Sequence, residues 1–399
     1  MIFVNKCAYF LFLFFICSAC NRSEQQKESG PLTKLTMDLL DSILVDELSP
    51  LVIDDYLEGT GRFLMRGTKS RKPYLVTDNG LVLKEYDILN EGPNGVGANG
   101  AFGYGFLDQD RWVAQGIFNG YHIFDLEGRK VNVLEPIQLG VFAMSIYSYR
   151  TFFRSFTKSG RGIIIGQEQN LFDPKSIEKE KIQTPEYYEK VKTVFAYGVE
   201  NGQLDLLETY PEDWTPRKMG EFVGQSQPIV AYHRHLHEMA ILPTVGDQLF
   251  IYDFSKANPE LKMVVELFHR FRPKGLPGLG HKVEGYSDYP NFTDIRYVGE
   301  RILVEFKTKI PVDILTQLRA KSEQYHTLPE FKEALEAFVK PYYMVVEHGK
   351  QIGIVDGLPV HGALDFTDED GYIYVNDNLE PEVERDYNIF YKLKFSDLD

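Results

Sequence analysis

Cysteine is almost absent from this chain of 399 residues, and its three cysteines all lie within the first 20 positions. The rest of the sequence therefore offers no disulfide, no thiol nucleophile and no thiolate ligand for a metal. A chain of this length buries enough apolar surface to be stable without disulfides, so their absence does not indicate a cytosolic protein.

Basic residues are also in short supply. The sequence has 43 lysines and arginines against 58 aspartates and glutamates, which gives a formal net charge of −15. Nucleic-acid binding depends on neutralising phosphates with lysine and arginine. The composition therefore predicts that nucleic acid is not a partner.

The familiar catalytic and cofactor motifs are incomplete. The run GQSQP at 224–228 lacks the last glycine of G-x-S-x-G, and His237-Glu238 does not continue into H-E-x-x-H. The run GVGANG at 95–100 matches G-x-G-x-x-G, but AFGYG follows it, and that favours a strand or loop over the helix that a pyrophosphate requires. The sequence therefore predicts no catalytic residue and no cofactor.

The N-terminal apolar run at 7–17 is too short to span a bilayer. It follows Lys6 and precedes Ser18, Ala19 and Cys20, which is typical of a signal-peptide core before a cleavage site. Small residues directly before a cysteine resemble the bacterial lipoprotein box. That resemblance implies that Cys20 is lipidated, with acyl chains such as palmitate, and becomes the mature N-terminus. An ordinary cleaved signal with an incidental cysteine is the alternative.

These features predict three segments: a signal peptide at 1–19, a lipidated flexible tether at 20–31 and a single folded domain at 32–399. The tether sequence NRSEQQKESGP is polar and has no large apolar residue. The expected location is the cell envelope, where the lipid holds the chain on the outer membrane, at its periplasmic or surface face.

A recurring strand pair predicts the fold. The stretch RWVAQGIFNGYHIFDLEGRKV at 111–131 reads as a β-hairpin, because Asn119-Gly120 tolerates the positive φ angles of a type I′ turn. Its ending IFDL has echoes in EYDI, IYDF and GIVD along the chain. A strand pair that ends on aspartate and repeats is typical of a β-propeller, so the fold class is all-β.

Six blades account for these pairs, with five and seven as alternatives because the period is degenerate. The stretch Leu32 to Val45 is expected to be a strand that completes the last blade and closes the ring. A short helical insertion near 329–340 should place Phe331, Leu335 and Phe338 on one face. The blade strands are expected at 73–88, 111–131, 145–167 with 193–210, 228–254, 294–307 with 342–355, and 362–395.

Several motifs together resemble a known family. The lipoprotein box, the EGPNGVG run at 91–97, the tyrosine–aspartate strand endings and the closing ERDYNIFYKLKF at 384–395 are similar to those of six-bladed β-propeller lipoproteins of Bacteroidota. The resemblance spans nearly the whole chain and depends on the order of the motifs. It implies a secreted, lipid-anchored propeller, and it implies no activity, because none is established for the family.

Three histidines alternate in the fourth blade. On a strand, His233, His235 and His237 would share one face at spacings of roughly 6–7 Å. A His-x-His pair on a strand can bind zinc, but a third ligand would have to come from another blade, since Glu238 would face the other side. The sequence therefore predicts a polar, ligand-binding surface and no metal site.

A basic loop stands out in this acidic chain. The run FHRFRPKGLPGLGHK at 268–282 contains Arg270, Arg272 and Lys274, which could clamp an anionic ligand such as an acidic sugar or a phosphate. The alternative is a solvated loop that pairs with the protein's own carboxylates.

Two functions from different classes fit the sequence. The preferred one is a binding or scaffold propeller whose glycan or protein partner sits at one mouth of the central channel, where loops converge. The other is a periplasmic or surface hydrolase or lyase that acts on glycans at that mouth. Several carboxylates or histidines meeting in one channel pocket would favour the enzyme.

Overall fold

The computed structural model describes residues 32–140, 150–255, 259–276, 282–283 and 286–396. Cys20, the predicted signal peptide and tether, and part of the predicted third blade at 145–149 lie outside these ranges. Residues 34–399 group as one compact unit. In chain order the strands are β1 Thr33–Lys34, β2 Met37–Val45, β3 Leu51–Leu57, β4 Arg62–Gly67, β5 Pro73–Thr77, β6 Val82–Glu85, β7 Ala101–Phe106, β8 Arg111–Gly116, β9 Tyr121–Asp125, β10 Lys130–Leu134, β11 Phe153–Lys158, β12 Arg161–Gln167, β13 Val194–Gly198, β14 Leu204–Leu207, β15 Ile229–His233, β16 Glu238–Leu242, β17 Gln248–Asp253, β18 Glu260–Glu266, β19 Lys282–Val283, β20 Tyr286–Ser287, β21 Phe292–Val298, β22 Arg301–Lys307, β23 Pro341–Glu347, β24 Lys350–Val355, β25 Ala363–Thr367, β26 Tyr372–Asn376 and β27 Asn388–Phe395.

Six antiparallel sheets form the blades, so the predicted six-bladed β-propeller is confirmed. The first four blades are β3–β6, β7–β10, β11–β14 and β15–β18, each with its strands side by side in chain order. Strands β21–β24 follow the same pattern in the fifth blade, and β25–β27 in the sixth. The first strand of each blade lies innermost, since β3 contacts both β7 and β25, and β21 contacts both β15 and β25.

The ring is closed by strands from both ends of the chain, as predicted. Strand β2 pairs antiparallel with β27, from Met37 opposite Phe395 to Val45 opposite Asn388, and is the outermost strand of the sixth blade. The side chains of Met37, Ile43 and Val45 are buried. Closure by an N-terminal strand gives the last blade four strands and covers the edge of β27, while β1 adds a fifth strand to the fifth blade beside β24.

The predicted hairpin at 111–131 is present with a different turn, and a second hairpin joins β5 and β6. Between β5 and β6, Gly80 has φ +87°, and a Cβ there would lie only 1.9 Å from the carbonyl oxygen of Leu44. The β8–β9 hairpin is also present, but its positive φ angles fall on Phe118 (64°) and Gly120 (89°) and not on Asn119. The prediction of a type I′ turn is therefore wrong, because residues 117–120 form a longer loop between the strands.

The helical insertion of the fifth blade is present and is larger than the sequence predicted. A second helix precedes the predicted one, and Leu315, Leu318 and Ala334 form their shared core. Leu335 and Phe338, predicted to share one helix face with Phe331, are 39% and 38% exposed. None of the helices in the described ranges is long and apolar enough to cross a membrane. The helices are α1 Glu186–Lys190, α2 Thr215–Met219, α3 Val312–Lys321 and α4 Pro329–Phe338, with 3₁₀ turns at Gln169–Leu171, Pro174–Ser176 and Tyr325–Thr327.

Aromatic side chains fill the space between blades. Trp112 of the second blade is fully buried and stacks on Phe124 at 4.6 Å between ring centroids. The same indole contacts Tyr86, which follows the last strand of the first blade, at 4.9 Å. Such pairs add to the free energy of area burial and hold neighbouring blades against each other.

Because the strands of a blade are antiparallel, their connections lie at two opposite faces of the propeller. We call the face formed by the turns between the first and second strands the turn face. The connections between blades lie at the other face, the crossover face, and the innermost strands line the channel between the two. The turn face comprises residues 58–61, 107–110, 159–160, 234–237, 299–300 and 368–371.

Candidate functional site

The first blade carries two adjacent carboxylates into the channel by means of a β-bulge. The pairing of β3 with β4 shifts between Ile53 and Asp55, and both Asp54 and Asp55 are buried. Asp54 accepts two hydrogen bonds from Arg66, from Nε at 2.9 Å and Nη2 at 3.0 Å. It accepts a third from the hydroxyl of Thr151 at 2.8 Å. This bidentate ion pair is thus satisfied inside the protein.

Asp55 links four blades. It accepts hydrogen bonds from the backbone N–H of Phe106 at 2.8 Å, from Arg154 Nη1 at 3.0 Å and from Arg234 Nη2 at 2.7 Å. These donors belong to the second, third and fourth blades. One buried carboxylate therefore fixes the relative positions of four inner strands and holds both arginines in place.

A second network in the channel is centred on Asp294. Asp294 of the fifth blade pairs with Arg150 and, at 2.6 Å, with Nε of Arg296. Arg150 also donates to the carbonyl oxygen of Val230 at 3.0 Å, and Arg296 donates to that of Asp365. These charged side chains in the described channel therefore pair with one another and stabilise the contacts between blades.

Asp365 is a buried acid in this wall. A shift in the pairing of β25 with β26 marks its position, and its Oδ2 accepts a hydrogen bond from the N–H of Ile53 at 2.9 Å. Burial raises the pKa of Asp365 to about 7, and the hydrogen bond from Ile53 opposes that shift only in part. The folded protein thus favours the neutral acid at this position.

We compare the free energy of unfolding of Asp365→Asn with that of the wild type at two pH values. The difference, variant minus wild type, should be about 1–3 kcal/mol more positive at pH 8 than at pH 5. The folded pKa of Asp365, about 7, lies above the ordinary value of 3.8, so the wild type loses stability as the pH rises from the lower value to the higher. Asparagine stays neutral and keeps an acceptor for Ile53. Urea unfolding at the two pH values tests this, and an equal difference at both would contradict it.

The three predicted histidines do not share one face of a strand, so that prediction is wrong. Strand β15 ends at His233 and β16 begins at Glu238, while His235 and His237 lie in the turn between them. His237 has a positive φ of 51°, which breaks the strand alternation. All three nevertheless lie at the turn face. Burial lowers the pKa of His233 and of His237.

His235 meets carboxylates from two other blades. Its Nε2 lies 2.5 Å from Oε2 of Glu58 and 3.4 Å from Oε2 of Glu369. One donor atom from each of the three side chains lies within 4.8 Å of the others. Glu58 belongs to the first blade, His235 to the fourth and Glu369 to the sixth. We call these three residues the mouth cluster; the His235 side chain is 64% exposed, so solvent reaches it.

Arg234 orients one side of Glu369. Its backbone N–H and its Nε donate to Oε1 of Glu369 at 3.0 and 3.2 Å, while its Nη2 binds Asp55. Burial raises the pKa of Glu369, but Arg234 and the neighbouring histidines outweigh burial and hold that pKa below its ordinary value. Among the residues that the structure describes, Oε2 of Glu369 has no hydrogen-bond partner, and it lies 3.4 Å from Nδ1 of His233.

The predicted basic loop is described over residues 268–276, which lie at the crossover face, opposite the histidines, and residues 277–281 of it lie outside the described ranges. Arg272 is buried and pairs with Asp247 at 2.5 Å, so it helps to hold the loop in place. Arg270 is exposed and lies 3.3 Å from Asp356, and Lys274 is also exposed. The structure therefore does not bring this loop and the histidines together. As ligand contacts, these basic residues stay a prediction.

Sequence reasoning missed Glu58, Arg234 and Glu369. The signal that could have found them is positional: Glu58, His235 and Glu369 each follow the innermost strand of their blade by one or two residues. Aligning the blades on those strand ends would have grouped them, but the strand ends are hard to locate when the repeats differ so much in sequence.

No protein-family model matches this chain, and no curated protein sequence matches it. Solved structures do resemble it. The crystal structure of a member of the DUF4221 family from Bacteroides vulgatus has a TM-score of 0.63 and 14% identity, and the match covers 92% of this chain and 100% of that chain. At this identity the likeness shows a shared propeller fold and nothing about activity.

Two further similarities are weaker. A protein from Bacteroides fragilis that is described as exported matches with a TM-score of 0.48 and 10% identity, over 92% of this chain and 95% of that one. A gluconolactonase from Xanthomonas campestris matches with a TM-score of 0.41 and 10% identity, over 92% and 98%. Neither similarity is high enough to carry an argument about this chain.

Proposed function

We propose that this chain is a lipid-anchored, extracytoplasmic binding or scaffold protein. The signal-like leader and the lipoprotein box at Cys20 support the location. The six-bladed fold supports the binding role, because a propeller brings loops from every blade to one mouth. The partner is a glycan or a protein that docks at the turn face.

The observation that carries the proposal is the mouth cluster. Glu58, His235 and Glu369 come from three blades and meet where His235 is open to solvent. Deeper in the channel, Asp55 already binds two arginines, so this carboxylate stabilises the contacts between blades and is not offered to a ligand. The mouth cluster offers carboxylate oxygens and an imidazole to the hydroxyl or amide groups of a partner.

A glycan-active hydrolase or lyase is the second candidate, favoured by the same convergence of carboxylates and histidine. Glycoside cleavage uses a carboxyl group that is still protonated near neutral pH and faces the substrate. Burial raises the pKa of Asp365 to about 7 and of Asp368 to about 6, but both side chains are buried and hydrogen-bonded to protein groups. Glu369, at the mouth, is held ionised, so we rank binding first.

We expect full-length protein, purified in detergent, to bind a member of an array of host and plant glycans without releasing a product. The double variant Glu58→Gln/His235→Ala should weaken that binding at least tenfold, a loss of about 1.4 kcal/mol. Both changes remove polar groups at the mouth, and the buried carboxylate of Glu369 keeps its ion pair with Arg234. Binding is measured by biolayer interferometry and turnover by product analysis.

The matched control is His326→Ala, which removes an exposed histidine in the fifth-blade insertion and should leave binding unchanged. If Arg270→Ala/Lys274→Ala abolishes binding while the mouth variant keeps it, the site lies at the crossover face and the proposal is wrong. Product release that disappears in the mouth variant would favour the hydrolase or lyase instead.

A further inference from the structure

We infer that the mouth cluster binds a divalent transition-metal ion, with zinc as the best-matched ion. The inference deepens the proposed function and rests on the same mouth, where the ion would meet the partner. It departs from the expectation from sequence of no metal site. A third ligand had to come from another blade, and Glu58 and Glu369 now supply oxygens from two other blades.

The spacing of the donor atoms suits a small ion. Zinc holds imidazole nitrogen at about 2.0–2.1 Å and carboxylate oxygen at about 2.0–2.2 Å, so tetrahedral neighbours lie roughly 3.3–3.6 Å apart. Nε2 of His235 and Oε2 of Glu369 are 3.4 Å apart, within that range. Oε2 of Glu58 is closer, 2.5 Å from Nε2 of His235, and has to withdraw by about 1 Å. The Glu58 side chain lies in a turn and is 22% exposed.

A buried oxygen without a partner points to the ion independently. The side chain of Glu369 is only 10% exposed, and no group in the described ranges donates a hydrogen bond to its Oε2. Leaving a buried acceptor unsatisfied is costly and uncommon. The nearest nitrogen on the other side, Nδ1 of His233 at 3.4 Å, already accepts a hydrogen bond from the N–H of Leu236 at 3.2 Å. An ion at the mouth would satisfy this oxygen.

The outer contacts resemble those that orient metal ligands. Arg234 holds the other oxygen of Glu369 through its backbone N–H and its Nε, so Oε2 is turned toward His235. The arginines near the mouth, Arg154 and Arg234, are matched by the carboxylates of Asp55 and Glu369. In the described chain, Glu58 forms its ion pair with His235 and not with an arginine. A divalent cation at the mouth would therefore balance the negative charge of Glu58.

The donor set selects the class of ion. One imidazole with two carboxylates suits zinc and its neighbours in the transition series, whereas magnesium and calcium prefer oxygen-only sites. Three protein ligands leave one tetrahedral position for water or for a group of the partner. The site would thus couple metal binding to ligand capture at the turn face.

The test is a zinc titration of the full-length protein, purified in detergent, stripped with chelator and desalted. We expect one zinc per chain by calorimetry and elemental analysis, with a Kd of about 1 µM or tighter. Glu58→Gln and His235→Ala should each weaken it at least tenfold. His237→Asn is the matched control, because it changes a histidine of the same turn to a residue that tolerates positive φ, and it should keep the zinc.

Two results would overturn the inference: folded wild-type protein that takes up no stoichiometric zinc, or zinc that is retained by the triple variant Glu58→Gln/His235→Ala/Glu369→Gln. Circular dichroism confirms that each protein is folded. The titration contains no glycan, so its failure leaves the proposed binding function intact. Glycan binding is assayed with and without chelator, so its failure leaves the metal site intact.

Discussion

Arg66→Met should lower the free energy of unfolding of the propeller by about 3–5 kcal/mol. Arg66 donates two hydrogen bonds to Asp54, at 2.9 and 3.0 Å, and the two side chains are 6% and 0% exposed. Methionine is apolar and of similar length, so the buried carboxylate of Asp54 loses its counter-charge. A loss of this size is a large part of the roughly 5–15 kcal/mol that stabilises a typical domain, and urea unfolding measures it.

A second variant separates the charge from the packing. In Arg66→Met/Asp54→Asn the asparagine still accepts from Thr151, which lies 2.8 Å from Oδ1, and the unpaired charge is gone. The double variant should therefore be more stable than Arg66→Met alone. Arg111→Ala, which breaks a partly exposed pair with Asp108, is the control and should cost less than about 1 kcal/mol. Wild-type stability in Arg66→Met would show that the buried pair does not hold the ring.

Cys20→Ala is expected to move the protein almost completely from the membrane fraction of cells to the soluble fraction. Each buried CH₂ of an acyl chain contributes about 0.8 kcal/mol to membrane binding, and two chains give stable anchoring. Without the thiol of Cys20 there is no site for the lipid. Detergent-free fractionation, with mass spectrometry of the N-terminal peptide, measures both the location and the acylation.

Cys17→Ala is the matched control for this experiment. It removes a cysteine of the apolar leader three residues earlier and should leave the protein acylated and membrane-bound. A Cys20→Ala protein that stays with the membrane would show that lipid on this residue is not the anchor. A wild type that is already soluble would support the alternative of an ordinary cleaved signal.

The fold could be predicted because its signals are local. The hairpin of β8 and β9 and the closing strand β2 are encoded by alternation and by turn residues within a few positions. Six such units require a ring, since a strand pair cannot bury its apolar face alone. Helix α3 was not predicted, because its apolar side chains Leu315 and Leu318 are buried by packing against α4. The sequence of α3 alone does not show that contact.

The histidine turn shows where local pattern fails. The alternating histidines from His233 to His237 fit a strand as well as a tight turn. His237 has a positive φ angle, and no glycine in the sequence indicates a turn at that position. The antiparallel pairing of β15 with β16, with His233 opposite Glu238, decides between the two. That pairing depends on tertiary packing of the blade, which a single segment does not reveal.

By itself, the sequence determined that this chain is an all-β propeller closed by its N-terminal strand, and the sheets of the structure decided that it has six blades. Only the tertiary structure decided which polar side chains meet. Glu58 and His235 are 177 residues apart in the chain and in hydrogen-bond contact in the fold. The physical reason is ring closure: it brings the ends of six innermost strands to one mouth, whatever their separation in sequence. Strand periodicity records which face a residue occupies, but it contains no information about its partner on another blade.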